Sequence, residues 1–167
     1  MSNFTSTSNF VANQAIADTS TTQLLPLGTR VQAVDSAATA YGVGEFIYLQ
    51  GVASTVVGSV VTFDFTDHST ALLVANAVGS VATAMSNCVA SEYGWYQIYG
   101  KAVGKGLASL ADNANIYGTA TAGSVDDAIV AGDRVQNAAT VSALDTPSTG
   151  LVELGICYPF VNNALAD

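Results

Sequence analysis

Charge is what this sequence has least of. Only 10% of its 167 residues are charged, and 4 Lys and Arg stand against 13 Asp and Glu, whereas soluble domains ordinarily carry about 25% charged residues. A nucleic-acid-binding surface needs many basic side chains to neutralise phosphates. Four basic residues in a chain of net charge −9 do not supply such a surface. The composition therefore excludes nucleic acid as a partner.

Histidine and cysteine, the residues of most catalytic and metal sites, are scarce as well. The one histidine, His68, follows Asp64 and Asp67, but such close sequence neighbours are typical of a polar turn rather than of a hydrolytic triad or a metal site. We therefore predict no catalytic residue, no metal and no cofactor, and class the chain as non-enzymatic. Cys88 and Cys157 are too few for a secreted disulfide scaffold. Two buried thiols are the favoured interpretation, and a bridge between them stays open.

Long apolar runs are absent too. The longest uncharged stretch, Ser69–Ser91, is interrupted by Gly79 and by several polar residues. A membrane helix needs about 20 predominantly apolar residues, so the sequence predicts no membrane partner. No basic residue precedes Arg30, and the start of the chain therefore lacks the positive charge of a secretory signal.

What the chain does contain is small residues in short, strand-like runs. Ala, Val, Thr, Ser and Gly supply 94 of the 167 residues, and glycines separate segments rich in strand formers. Such spacing is typical of a β-sandwich or barrel, so we predict an all-β fold with a sandwich or barrel-like body of about ten short strands. One helical turn is predicted at Leu107–Asn113. The predicted strands include Glu45–Gln50, Ser59–Phe65, Trp95–Val103, Ala128–Val130 and Leu151–Tyr158.

The first residues differ from the rest of the chain. Met1–Thr22 has a single charge, no glycine and no proline, and its few large apolar side chains are too few to fold alone. We predict an extended N-terminal arm over residues 1–26 and a single β-rich domain over 27–167, with a frayed terminus as the alternative. The residues expected to anchor the arm on a partner are Phe4, Phe10, Val11 and Ile16.

An aromatic cluster marks the clearest strand. Its members are Tyr93, Trp95, Tyr96 and Tyr99. Strand alternation places Trp95 and Tyr99 on one face and Tyr96 on the other. We expect one set to fill the core and the other to cover a subunit or capsid interface, with a sugar-binding surface as the alternative.

Two stretches carry a resemblance to a known family. Tyr41–Thr55 and Tyr93–Gly100, together with Ala131–Val135 and Gly155–Pro159, resemble small proteins encoded among the virion genes of tailed bacteriophages. The resemblance extends over roughly residues 28–160. Within that group, the chain is similar to head decoration, or cement, proteins.

The resemblance implies a structural role in the virion. The expected partner is the phage major capsid protein, bound at subunit junctions so that the capsid is stabilised. The family also implies self-association, as a homotrimer, and a location on the outer surface of the capsid after assembly in the host cytoplasm. A tail- or fibre-associated structural protein and a host-surface or carbohydrate-binding module are the alternatives.

Overall fold

The computed structural model describes residues 14–36 and 40–163 in full, and residues 4–6 by their backbone. These residues form strands and no helix, which confirms the all-β prediction, and none of them therefore forms a helix able to cross a membrane. The twelve described strands are β1 (Phe4–Ser6), β2 (Thr19–Ser20), β3 (Arg30–Asp35), β4 (Val43–Gln50), β5 (Val60–Phe63), β6 (Thr70–Leu72), β7 (Gly79–Ala84), β8 (Tyr93–Lys105), β9 (Asn115–Gly118), β10 (Val125–Asp126), β11 (Arg134–Thr140) and β12 (Leu151–Val161).

One antiparallel sheet connects nine of these strands in the order β1-β3-β4-β8-β7-β12-β11-β9-β10. Of the other three, β2 pairs with β8, and β5 pairs with β7 on one side and β6 on the other. The 13-residue strand β8 is central to this sheet, because its first half pairs with β4 and its second half with β12. Hydrogen bonds from Val60 N–H to Gly123 O (3.0 Å) and from Ala75 N–H to Thr119 O (3.1 Å) join the β5–β6 region to the β9–β10 region. The sheet therefore curves back on itself, consistent with a sandwich or barrel-like body.

Alternation along the strands distributes the apolar side chains over three clusters. The largest lies within the curved body and includes Val60, Val152 and Leu154. The other two lie on opposite faces of β4 and β8, where Tyr96 belongs to one and Trp95 to the other. The predicted alternation of these two aromatic residues is confirmed. Residues 94–98 of β8 are buried on both faces, so this part of the strand lies between two cores, whereas Tyr99 further along the strand is exposed.

Two predicted elements are wrong. Residues 128–130 form a loop instead of a strand, and Ile129 is 80% exposed at its tip. The Asp133 N–H donates to Val130 O (3.1 Å) and closes a turn directly after this run of strand formers, and residues 128–130 pair with no described strand. Residues 107–113 form turns rather than a helical turn, since the Asp127 carboxylate accepts the Ala111 N–H (2.9 Å).

The N-terminal segment also differs from the expected arm. Residues 14–26 lie on the body of their own chain, where β2 pairs with the start of β8. The backbone of β1 pairs with β3, with Phe4 opposite Asp35. Phe10 and Val11 lie outside the described residues. An extended arm therefore does not describe residues 14–26.

Candidate interaction surface

The four aromatic residues singled out in the sequence occupy different environments. Trp95 and Tyr96 are fully buried, Tyr93 is half-buried and Tyr99 is exposed. The Trp95 indole N–H donates to the backbone oxygen of Gln14 (3.2 Å), and burial raises the pKa of Tyr96. Trp95 and Tyr96 therefore belong to the core. Tyr99 is the most exposed of the four side chains and is therefore the one able to contact a partner.

Gln14, which the sequence did not point to, holds the N-terminal segment in place. Its amide NH₂ donates to the backbone oxygens of Asp18 and Tyr93, and its amide oxygen accepts the Tyr48 hydroxyl, each at 2.8 Å. Ile16 is buried in the same cluster as Trp95, which corrects its assignment as a contact to a partner. A polar residue within a polar segment gives no sequence signal of burial, since only its three-dimensional partners reveal it.

Tyr99 belongs to a set of exposed rings that neighbour one another in series, which we call the aromatic face. Its four members are Phe65, Tyr99, Tyr158 and Phe160, exposed to 61%, 43%, 46% and 39%. Tyr158 lies beside Tyr99 and shares a depression with Phe65, and Phe65 shares a groove with Phe160. The rings of Tyr99 and Tyr158 lie 5.5 Å apart. Several large exposed rings on one surface are typical of an interaction site. Of the four, the sequence pointed only to Tyr99.

A β-bulge in β12 turns Tyr158 outward. Gln136 of β11 lies opposite Phe160, and Ala138 lies opposite Ile156, so that residues 157–159 of β12 stand against a single residue of β11. Tyr158 has a φ of 49°, a left-handed conformation that costs a non-glycine residue about 1 kcal/mol. Bulges of this kind commonly re-aim a side chain next to a site. The strained backbone thus supports an exposed ring.

Polar contacts fix the orientation of that ring. The Tyr158 hydroxyl donates to the Glu45 carboxylate (2.8 Å), and Glu45 also forms an ion pair with Arg30 (3.7 Å). The hydrogen bond to the negatively charged Glu45 raises the pKa of Tyr158. Tyr158 is therefore held in one orientation before any partner arrives, which lowers the entropy lost on binding.

An open groove of about 590 Å³ adjoins the aromatic face. Phe65, Val78 and Phe160 are its large exposed lining residues, while Thr62, Ala71, Gly79 and Ser80 contribute small ones. Phe63 packs edge-on against Phe65, with ring centroids 5.2 Å apart. A smaller depression lined by Arg30, Tyr158 and Pro159 shares Phe65 with the groove, so the groove and the aromatic face are continuous.

The turn between β5 and β6 adds negative charge to this region. Asp64 lines the groove, and Asp67 lies in the same turn. Hydrogen bonds from the Ser69 N–H and hydroxyl lower the pKa of Asp67. No ion pair within the described residues involves Asp64 or Asp67. The groove therefore carries the negative charge of Asp64, which has no ion pair within the described residues, next to its apolar surface.

The residues considered for chemistry are not gathered into a site. Across residues 14–36 and 40–163, no three His, Cys, Asp or Glu side chains lie together as metal ligands would. His68 packs against Gly28, since a Cβ added there would lie 2.3 Å from the imidazole Nε2. Both cysteines are free; Cys88 is buried but Cys157 is exposed, which differs from the favoured interpretation of two buried thiols.

No protein-family model, no curated protein and no solved structure matches the chain.

Proposed function

We propose that the chain is a non-enzymatic structural protein of a tailed-phage virion, which decorates the capsid and stabilises it by binding the major capsid protein at subunit junctions. The aromatic face carries the proposal. A cement protein works through contact area rather than chemistry, and exposed, pre-oriented rings beside a groove supply the anchors that protein interfaces use.

The small number of charged residues and the negative net charge support the same role. Few charged residues lower the desolvation cost of a large contact, and a net charge of −9 keeps the protein from adhering to packaged nucleic acid. Phe4, Phe10 and Val11 remain proposed capsid contacts at the start of the chain, whereas Ile16 is occupied within its own core. Self-association as a homotrimer on the outer capsid surface completes the proposal.

Co-sedimentation tests the proposed function. Purified protein is mixed with undecorated heads and with separated tails of the encoding phage, and bound protein is quantified after pelleting. We expect saturable binding to heads and none to tails. Binding to tails alone would overturn the proposal in favour of a tail- or fibre-associated protein.

A matched pair of variants connects the binding to the aromatic face. Tyr99→Ser removes an exposed ring of that face, and Val141→Ser removes an exposed apolar side chain from the end of the β11–β12 hairpin. We expect the first to lower head affinity about tenfold, the size of effect of a moderate hot spot, and the second to leave it unchanged. Equal affinities for both variants would remove the aromatic face from the proposal.

A carbohydrate-binding module is the second candidate, favoured by one observation. The exposed Tyr99–Tyr158 pair lies next to a groove lined by Asp64, Ser69 and Thr70. Rings beside hydroxyl and carboxylate groups are able to bind a sugar. Specific glycan-array binding that Tyr158→Ser abolishes, with no binding to heads, would establish this function instead.

A further inference from the structure

We propose that the groove beside the aromatic face binds an extended segment of a partner protein that carries an apolar or aromatic side chain next to a lysine or arginine. This inference rests on the proposed function for the identity of the partner, the capsid protein. The chemistry of the segment is argued from the groove alone.

The shape of the groove follows from residue size on four neighbouring strands. Ala71 of β6 pairs with Thr62 of β5, and Ser80 of β7 lies between Phe63 of β5 and Phe160 of β12. Ala71 and Thr62 lie on one face of the sheet and Ser80 on the other. The groove crosses the ends of these four strands, where the small side chains leave space. Three interstrand spacings of about 4.8 Å give a length of roughly 14 Å, which about four residues of extended chain would fill.

The walls of the groove provide apolar anchor sites. Phe65 and Val78 are both more than 60% exposed, and Phe160 also reaches solvent. Gly79 has a φ of 139°, which favours glycine, and its Cβ position is 3.8 Å from the nearest atoms. The backbone there is therefore open to close approach by a partner. An apolar side chain inserted among these residues would remove their exposed surface from water.

The negative charge at the groove favours a basic residue next to the apolar side chain of the partner segment. Asp64 lines the groove without an ion pair, and hydrogen bonding from Ser69 keeps the neighbouring Asp67 ionised. The nearby cation Arg30 is already paired with Glu45. A lysine or arginine on the partner would compensate the Asp64 carboxylate that lines the groove, whereas an acidic segment would be repelled and a neutral sugar would leave that charge unpaired.

Two synthetic peptides test this complementarity. Both are nonapeptides with alternating Val, Phe and Thr, and they differ only in two positions that are lysine in one and glutamate in the other. Binding is followed by fluorescence anisotropy at 50 and 300 mM salt. We expect the lysine peptide to bind at least tenfold more tightly than its glutamate twin, and to weaken several-fold at high salt. Equal binding of the twins, or no binding, would overturn the proposal.

Variants locate the binding. Ala71→Tyr fills the groove from an exposed position, and Asp64→Asn removes its charge without changing its size. We expect each to weaken the lysine peptide at least fivefold, whereas Asp145→Asn, on the distant β11–β12 hairpin, leaves it unchanged. Trp95 fluorescence and circular dichroism report whether each variant folds. Unchanged affinity in folded Ala71→Tyr or in Asp64→Asn would overturn the proposal.

The outcomes separate the groove from the proposed function. If the lysine peptide binds but heads do not, the decoration role fails and the groove chemistry stands. If heads bind equally to wild type and to Ala71→Tyr, the decoration role stands and the groove is not the contact. A glycan array that detects a sugar displaced by Ala71→Tyr, without binding of the lysine peptide, would assign the groove to carbohydrate.

Discussion

Gln14 shows how one polar side chain attaches a segment that has few apolar residues. Its amide makes three hydrogen bonds and its backbone oxygen accepts the Trp95 indole N–H. Gln14→Ala would leave the buried Tyr48 hydroxyl and the Tyr93 carbonyl without these partners. We expect the free energy of unfolding to fall by about 2–3 kcal/mol, measured by urea denaturation.

Gln23 provides the matched control for that substitution. It is exposed and makes a single local hydrogen bond, to Leu25 O (3.0 Å), so Gln23→Ala is expected to change stability by less than about 0.5 kcal/mol. Equal effects of the two substitutions would show that the buried amide does not hold the segment.

Cys88 gives the protein a defined response to alkaline pH. Burial raises the pKa of its thiol from 9.0 to about 11. The unfolded chain therefore loses this proton at lower pH than the folded chain, and the thiol's contribution to stability is complete below pH 9 and lost as the pH rises from about 9 to about 11. Urea denaturation at pH 8, 9.5 and 10.5 measures the decline.

Cys88→Ala separates the thiol from other titrating groups. The pKa of Tyr41 is also raised, from 10.0 to about 12, chiefly by burial, so the variant still loses stability above about pH 10. We expect it to be less stable than wild type at pH 8 but to show a shallower decline between pH 8 and 9.5. An identical slope in both proteins would contradict the assignment to Cys88.

Strand β12 contributes buried side chains to the core and, through its bulge, also presents an exposed ring. Tyr158→Asn keeps a residue that tolerates a φ of 49° but removes the ring. Relief of backbone strain offsets the lost ring contact, so we expect stability within about 1 kcal/mol of wild type while head binding falls at least tenfold. Urea denaturation and co-sedimentation measure the two effects.

Tyr158→Phe tests which part of that side chain matters. It retains the ring against Tyr99 and loses the hydrogen bond to Glu45. If the proposed function holds, we expect it to keep most of the head affinity, because the ring would make the contact and the hydroxyl would only orient it. If Tyr158→Asn bound heads as tightly as wild type, the Tyr158 ring would make no contact with them, and the bulge would serve the fold alone.

The local pattern of apolar and polar residues was sufficient to predict some strands and insufficient to predict others. Strand β4 and the alternation of Trp95 and Tyr96 in β8 were predictable, because side-chain periodicity follows directly from strand geometry. The aromatic face was not, since Tyr158 is exposed through a bulge that depends on its register with β11. Ile129 illustrates the opposite case, in which strand formers lie in a loop because no neighbouring strand pairs with them.

The N-terminal segment covers one face of the β4–β8 pair. Trp95 and Tyr48 lie on one face of the β4–β8 pair, and Ile16 belongs to the same buried cluster together with half-buried Leu25 and Leu27. Without this segment, one side of β4 and β8 would face water. The N-terminal segment and the β4–β8 pair therefore share one buried cluster in the described part of the chain.

Two deletions test this whole-molecule role, with the single tryptophan as the reporter. Removing residues 1–13 leaves Gln14 and Ile16 in place, whereas removing residues 1–20 takes away both and also β2. We expect Trp95 emission to be unchanged in the first deletion. In the second we expect a red shift, together with a loss of about 3–5 kcal/mol in the free energy of unfolding, from the lost hydrogen bonds and apolar burial. If both deletions shift the emission equally, residues 14–20 are not the cover. If removing only residues 1–13 lowers head binding while stability is unchanged, residues 1–13 contact the capsid.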